Sequence, residues 1–211
     1  MLSRLDVAQA PDGMARRLLD SGRRNFVEHG YQQASVSDIA EQAGASVGLL
    51  YYHFSNKEGL YRAIWADYQQ RQWRQAHQAV DLVRSAGVDD GRVLFLAGTR
   101  AYMAHCWENR DIVELVQNND APPRFVAEAR ALVHEWLQMN AQLLKLPDDQ
   151  STEVLVEMAS MAIAGAVRVI ARCPTRDEAD EVVDVAMKIF THMIGYGGEK
   201  ALASQQSSVA S

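Results

Sequence analysis

Apolar residues recur every three or four positions from about residue 14 almost to the C-terminus, and no stretch alternates with a period of two for long enough to make a strand. The first helical run spans about 14–29, with Leu18, Leu19, Gly22, Phe26 and Val27 toward one face. Gly30 closes it, as the residue suited to the left-handed position after a helix end. Ser35-Val36-Ser37-Asp38 then opens a short helix with a capping box: the Ser35 hydroxyl takes a first-turn amide and Asp38 reaches back. Val36, Ile39, Ala40 and Ala43 share its inner face, and Gly44 ends it. Ser46 opens a third helix through Leu50, Tyr51, Tyr52 and His53. Ser55-Asn56-Lys57-Glu58 reads as a second capping box, starting a long helix to about Arg84. Further helices are expected over 91–109, 111–118, 122–145, 152–172 and 176–194, with Pro122 and Pro123 at a helix start and Pro147 and Pro174 in connectors. The pattern predicts an all-α chain of about nine helices. Pro11-Asp12-Gly13 marks residues 1–13 as a flexible arm, and the Gly-, Ser- and Gln-rich stretch 196–211 reads as a disordered tail.

Composition narrows the class. With 211 residues, 48% apolar, 13 Gly and only 5 Pro, the chain can bury a sizeable core and is neither collagen-like, disordered nor a β-repeat. No apolar run approaches the ~20 residues of a membrane span, and the N-terminus lacks a signal-peptide core, so a soluble cytoplasmic protein without a membrane partner is expected. Cys106 and Cys173 offer no disulfide framework and no metal-ligand spacing. His105 beside Cys106 points away from it on a helix and has no third ligand, so no metal and no cofactor is expected. The net charge of −6 is uneven. Residues 1–74 carry nine Lys/Arg against eight Asp/Glu, while the remainder carries twelve against nineteen. If nucleic acid is bound, the N-terminal third is the place for it.

The informative segment is 35–60. Two short helices joined at Gly44-Ala45 make a helix-turn-helix, with small residues expected where the two backbones approach. Ile39, Val47, Leu50 and Phe54 are candidates to lock the pair. Gly30-Tyr31, Ser35-Val36-x-Asp38-Ile39-Ala40, Ala43-Gly44-Ala45-Ser46-x-Gly48 and Tyr51-Tyr52-His53-Phe54-x-Asn56-Lys57-Glu58-x-Leu60 together resemble the TetR family of bacterial transcriptional regulators, over residues 14–62. Asn25 departs from it, standing where the family has an apolar residue. The resemblance implies a three-helix DNA-binding domain at 14–62 and a helical effector-binding and dimerisation domain at 63–195. It places Ser46, Val47, Gly48 and Leu49 at the start of a recognition helix in the major groove. Gly48 would leave room for a base edge or phosphate, while Val47 and Leu49 offer apolar contact, for instance to a thymine methyl. Part of the specificity would then come from DNA shape. Ala45 lies in the turn, Tyr51, Tyr52 and His53 look like phosphate-contacting or helix-locking groups, and Lys57 looks like a backbone clamp. Ser35 and Ser37 would set a helix N-terminus against a phosphate, with Arg16 and Arg17 flanking.

The rest of the chain resembles that family only in architecture. The last two helices carry apolar stripes, from which Val154, Met161, Gly165, Val182, Ile189 and Met193 are expected at a homodimer interface. Two recognition helices ~34–36 Å apart would read a palindromic operator in double-stranded DNA. Trp73, Tyr102, Met103, Cys106, Trp107, Trp136, Met139 and Met158 supply the aromatic and Met surface from which an apolar effector pocket is built. The resemblance implies a repressor released by a small apolar or aromatic effector; an activator, or an adaptor with a degenerate reader, are the alternatives. No nucleophile elbow, phosphate-cradling loop, HExxH or paired carboxylate suggests an enzyme.

Overall fold

A computed structural model describes residues 13–117, 120–123 and 125–209. The expected arm before Gly13 lies outside the described residues. Among those described there is no strand, and nine helical elements follow one another: α1 (Gly13–Gln33), α2 (Val36–Gln42), α3 (Val47–Phe54), α4 (Lys57–Ser85), α5 (Gly91–Glu108), α6 (Arg110–Gln117), α7 (Phe125–Leu143), α8 (Gln150–Ala171) and α9 (Arg176–Val209). They form two compact units, one of residues 1–71 and 114–126, the other of 72–113 and 127–211.

The first unit is built around α1. Leu18, Phe26, Ile39, Leu50 and Leu60 have no exposed surface, so α1, α2, α3 and the start of α4 share one apolar centre. Gly22 marks the closest approach of α1 to α4: a Cβ there would lie 2.9 Å from the Leu60 side chain and 3.1 Å from that of Ile64. The Ser21 hydroxyl, fully buried, donates to the Ile39 carbonyl at 2.9 Å and ties α1 to α2. Asn25 is also buried, and its carbonyl oxygen finds no partner. Arg16, expected to flank a nucleic acid, instead joins α1 to α4. It donates to Asp20 at 2.6 Å and to both oxygens of Asp67 at 3.0 and 3.1 Å, which spends its fork inside the unit. Arg17 stays exposed.

The ends of the helices follow the local chemistry. α1 breaks at Gly30 (φ 74°, ψ 166°) and then makes one more turn. Gly44 has φ 69°, its N–H bonds Glu41 O, and the Ala45 N–H bonds Ala40 O, closing α2. A Cβ at Gly44 would meet nothing within 4 Å, so the glycine serves the left-handed backbone rather than the close helix approach expected there. Ser55 is not the cap of α4. It sits at φ 64° after α3, and Asn56 caps instead, accepting from the Gly59 N–H at 2.7 Å.

In the second unit α5 packs against α8 and α9, and α8 against α9. Leu94, Met103, Cys106, Ile163, Ile170, Val183 and Phe190 fill the centre. Arg100 pairs with Asp184 at 2.6 Å and Arg176 with Glu108 at 3.1 Å across these helices. α8 alone among the described helices is long and apolar enough to cross a membrane, contrary to the expectation that no run is; only a third of that stretch is buried within the protein. The cause is the run from Met158 to Val167, which contains no charge. α9 continues through Val209, where a disordered tail was expected from 196. Glu199-Lys200-Ala201-Leu202-Ala203 are all strong helix formers, which carry the helix past the glycines.

Replacing Phe26 with Ala should lower the unfolding free energy of the first unit by about 3–5 kcal/mol. Urea denaturation followed by far-UV circular dichroism measures it.

Candidate nucleic-acid interface

α2 and α3 are seven and eight residues long, and helices so short are not stable alone in water. Three local devices hold them. Ser35 accepts from the Asp38 N–H at 3.2 Å, and Ser46 from the Leu49 N–H at 3.2 Å, so each helix has the cap its sequence announced. Leu50, wholly buried, anchors α3. Val47 and Phe54 lie on the same side, one turn before and one after, and are partly covered.

That anchorage decides what α3 shows to solvent. Ser46, Gly48, Tyr51 and Tyr52 are exposed, Tyr52 by 82%. Ala45, Val47, Leu49 and His53 are half-buried. A Cβ on Gly48 would meet only the Ser46 hydroxyl, at 3.8 Å, so nothing in the fold requires glycine at this point of a helix. The Tyr52 ring leans edge-on toward His53, with centroids 5.4 Å apart. On α2, Ser37 is exposed and Ser35 is occupied as a cap. The surface is thus apolar and aromatic with hydroxyls at its edge, suited to methyl contacts in a groove and hydrogen bonds to phosphates.

Lys57 behaves differently from a free clamp. Its ammonium donates to the carbonyls of Gln32 at 2.9 Å and Ala34 at 3.0 Å, and stands 4.9 Å over the Tyr31 ring. These carbonyls end α1, where a cation is favoured. Gly59, unremarked in the sequence, is required by packing, since a Cβ there would overlap the Phe54 carbonyl. Nothing in the local pattern of residues reveals either role, because both depend on where α4 meets the end of another helix.

In the second unit the residues expected to line a pocket are dispersed. Trp73 faces His77 with centroids 4.0 Å apart. Tyr102 stacks on Trp136 with centroids 6.0 Å apart, and Trp136 meets Phe95 at a tilt at 5.9 Å. Met103 and Cys106 are fully buried, and burial together with the neighbouring Cys106 pushes the Tyr102 phenol well above its ordinary value. The Trp107 indole donates to Cys173 O at 3.1 Å between the guanidinium groups of Arg110 and Arg176, so it fastens helix ends. Met158 is exposed on α8, and the side chain of Met139 lies outside the described residues. An apolar gap of about 30 Å³, room for one or two waters, lies elsewhere, among Phe95, Ala141, Leu144, Leu155, Phe190 and Met193. Met193, expected at an interface, lines this gap. None of the seven expected pocket residues whose side chains are described lines it.

The expected interface residues divide cleanly. Val154, Met161 and Ile189 are exposed, Met161 by 66%; Met158, Val169 and Val185 join them. Gly165 lies on the same side of α8, where a Cβ would meet nothing, and Val182 is half-buried.

Comparison with known proteins agrees with this geometry. Residues 18–64 match the family of bacterial regulatory proteins, tetR family. The HTH-type transcriptional repressor AcnR of Corynebacterium diphtheriae is 28% identical over 179 residues, 81% of this chain and 87% of that protein. The HTH-type transcriptional repressor ComR of Escherichia coli is 34% identical over 93 residues, 44% of this chain and 42% of that one. SmeT, the repressor of the Stenotrophomonas maltophilia multidrug efflux pump SmeDEF, shares the fold with a TM-score of 0.67 at 15% identity, covering 86% of this chain and 89% of its own.

Replacing Lys57 with Met should lower stability by about 1–2 kcal/mol, because the α1 carbonyls lose a charged donor that water replaces in part. A urea midpoint unchanged within error would show that the ammonium contributes nothing there.

Proposed function

The chain belongs to the tetR family of bacterial regulatory proteins and is a DNA-binding transcriptional regulator, and from that premise we propose that it is a homodimeric repressor which a small apolar effector releases from a palindromic operator. The reading rests first on α3. Its buried Leu50 turns Gly48, Tyr51 and Tyr52 outward, and these, with Ser37, Ala45, Ser46, Val47, Leu49 and His53, form the surface presented to the duplex. Gly48 lets the backbone approach a base edge, Val47 and Leu49 meet thymine methyls, and the tyrosine hydroxyls take phosphates. Ser35 serves DNA binding indirectly, by capping α2, and Lys57 by holding the end of α1.

The observation that supports a homodimer is the two-sidedness of α8 and α9. Each buries one apolar face, Val156, Ala159, Ile163, Val167 and Ile170 on α8, and leaves a second apolar stripe in water, Val154, Met158, Met161 and Val169 on α8 with Val185 and Ile189 on α9. A helix of a free-standing domain needs only one such face. A second copy presenting the same stripes about a two-fold axis covers both sets at once.

The effector reading is supported by the gap beside Phe95, Leu155 and Phe190, whose wall carries no charged group. An effector larger than a few waters must widen it. Its preference for the widened arrangement is the free energy available to oppose DNA binding. The cytoplasm is where such a regulator meets both DNA and metabolites.

Duplexes selected from a random-sequence pool by the purified protein test the reading. They should be palindromic, their affinity should fall steeply with salt, and apolar or aromatic compounds should release them. Gly48→Ala separates reading from folding: the added methyl should stabilise α3 by up to about 1 kcal/mol while weakening binding to the selected duplex. Tighter or unchanged DNA binding would remove Gly48 from the interface. The double variant Met161→Glu, Ile189→Glu should sediment as a monomer with unchanged helicity and lose the palindrome. A persistent dimer would move the interface elsewhere.

A further inference from the structure

The four residues 31–34, between the break in α1 and the Ser35 cap, lie directly upstream of α2, so their course sets where α2 begins. They are held from two sides. From α4, the Lys57 ammonium takes the carbonyls of Gln32 and Ala34. From the other side comes Asp120, in the segment 114–126 that rejoins the first unit although the chain before it and after it belongs to the second. Its carboxylate accepts the Gln32 N–H with both oxygens at 3.3 Å. It also occupies the space at Gly30 where a Cβ would stand, and any side chain there would overlap its Oδ2. Gly30 therefore supplies both the left-handed turn and the seat for the carboxylate. Gln32 is gripped through its N–H by an anion and through its C=O by a cation, charge-assisted bonds of opposite sign on one peptide residue. The Tyr61 phenol lies within electrostatic reach of the same carboxylate, which adds to burial in raising it.

We propose that Asp120 is a positioning residue for DNA recognition: seated in the Gly30 notch on the Gln32 amide, it holds the α1–α2 junction in the course that presents α2 and α3 to the duplex. It touches no DNA itself. Because its segment is tethered at both ends to the second unit, a rearrangement there that withdraws the carboxylate loosens the reader without unfolding it. This inference rests on DNA recognition through α3, and the test keeps the two apart.

The sign of the effect discriminates. A carboxylate that is a bystander in a DNA-binding unit repels phosphates, so its removal tightens binding. A positioning carboxylate does the opposite. The measurement is the affinity of full-length wild type, Asp120→Ala and Asp120→Asn for a duplex selected by the wild type, with thermal unfolding and amide exchange of the peptide covering 30–36. The expected result is that Asp120→Ala weakens the selected duplex by about tenfold or more, as loss of a charged hydrogen bond allows. Its melting temperature should stay within about 2 °C of wild type, and exchange at 30–36 should accelerate. Asp120→Asn, which keeps an acceptor oxygen, should recover part of the loss. Unchanged or tighter binding by Asp120→Ala overturns the proposal, and so does a loss of affinity that only tracks a loss of melting temperature in both variants. A wild type that selects no duplex defeats the α3 reading itself, and this proposal with it.

Discussion

Two helices too short to exist alone carry the surface proposed to meet DNA, and the packing of the first unit holds them in place. Leu50 beneath α3, Ile39 beneath α2 and Phe26 on α1 are all without exposed surface, and they join the two short helices to α1 in one body. Rigidity matters because a groove accepts a helix only in a narrow range of orientations. The same burial dictates the outward residues: with Leu50 inside, the 100° step of the helix turns Gly48 and Tyr52 to water. The Ser21 hydroxyl on the Ile39 carbonyl and the Arg16–Asp67 pair then fasten this body along α1.

The second unit answers a different constraint. A single recognition surface of this size would bind weakly, and the proposed homodimer presents two. α8 and α9 are apolar on opposite sides, one for their own core and one left uncovered, which suits the proposed pairing. The proposed pairing also accounts for the apolar run through α8 that would satisfy a membrane criterion, since a helix covered on two sides has few positions left for charge. The uncharged gap between α5, α7, α8 and α9 is the place the effector proposal assigns to a small apolar molecule.

What could be read from the sequence was what depends on neighbours within a turn or two. The Ser35 and Ser46 caps, the break at Gly30 and the helical character of the whole chain follow from local chemistry and periodicity, and the structure has each of them. Residues whose roles depend on distant partners were misread or missed. Lys57 reads from its neighbours as a backbone clamp, yet its ammonium caps a helix that ends 24 residues earlier. Arg16 is taken by Asp67 on another helix. Ser55 has the spacing of a capping box, but the left-handed turn after α3 uses it up and passes the cap to Asn56. Asp120 lies 88 residues from Gln32, and no local pattern connects them. The pocket expectation failed to converge on one place for a related reason: aromatic and Met residues build cores and pockets alike, and only the packing distinguishes them.

The proposed dimer sets paired copies of α3 in successive major grooves of one duplex. Hydroxyl-radical footprinting of the wild-type protein on a selected duplex tests it most directly. Expected are two protected patches on each strand, related by a two-fold axis and centred about one helical turn, ~10 base pairs, or a multiple of it, apart. A single unpaired patch, or protection without symmetry, would contradict it.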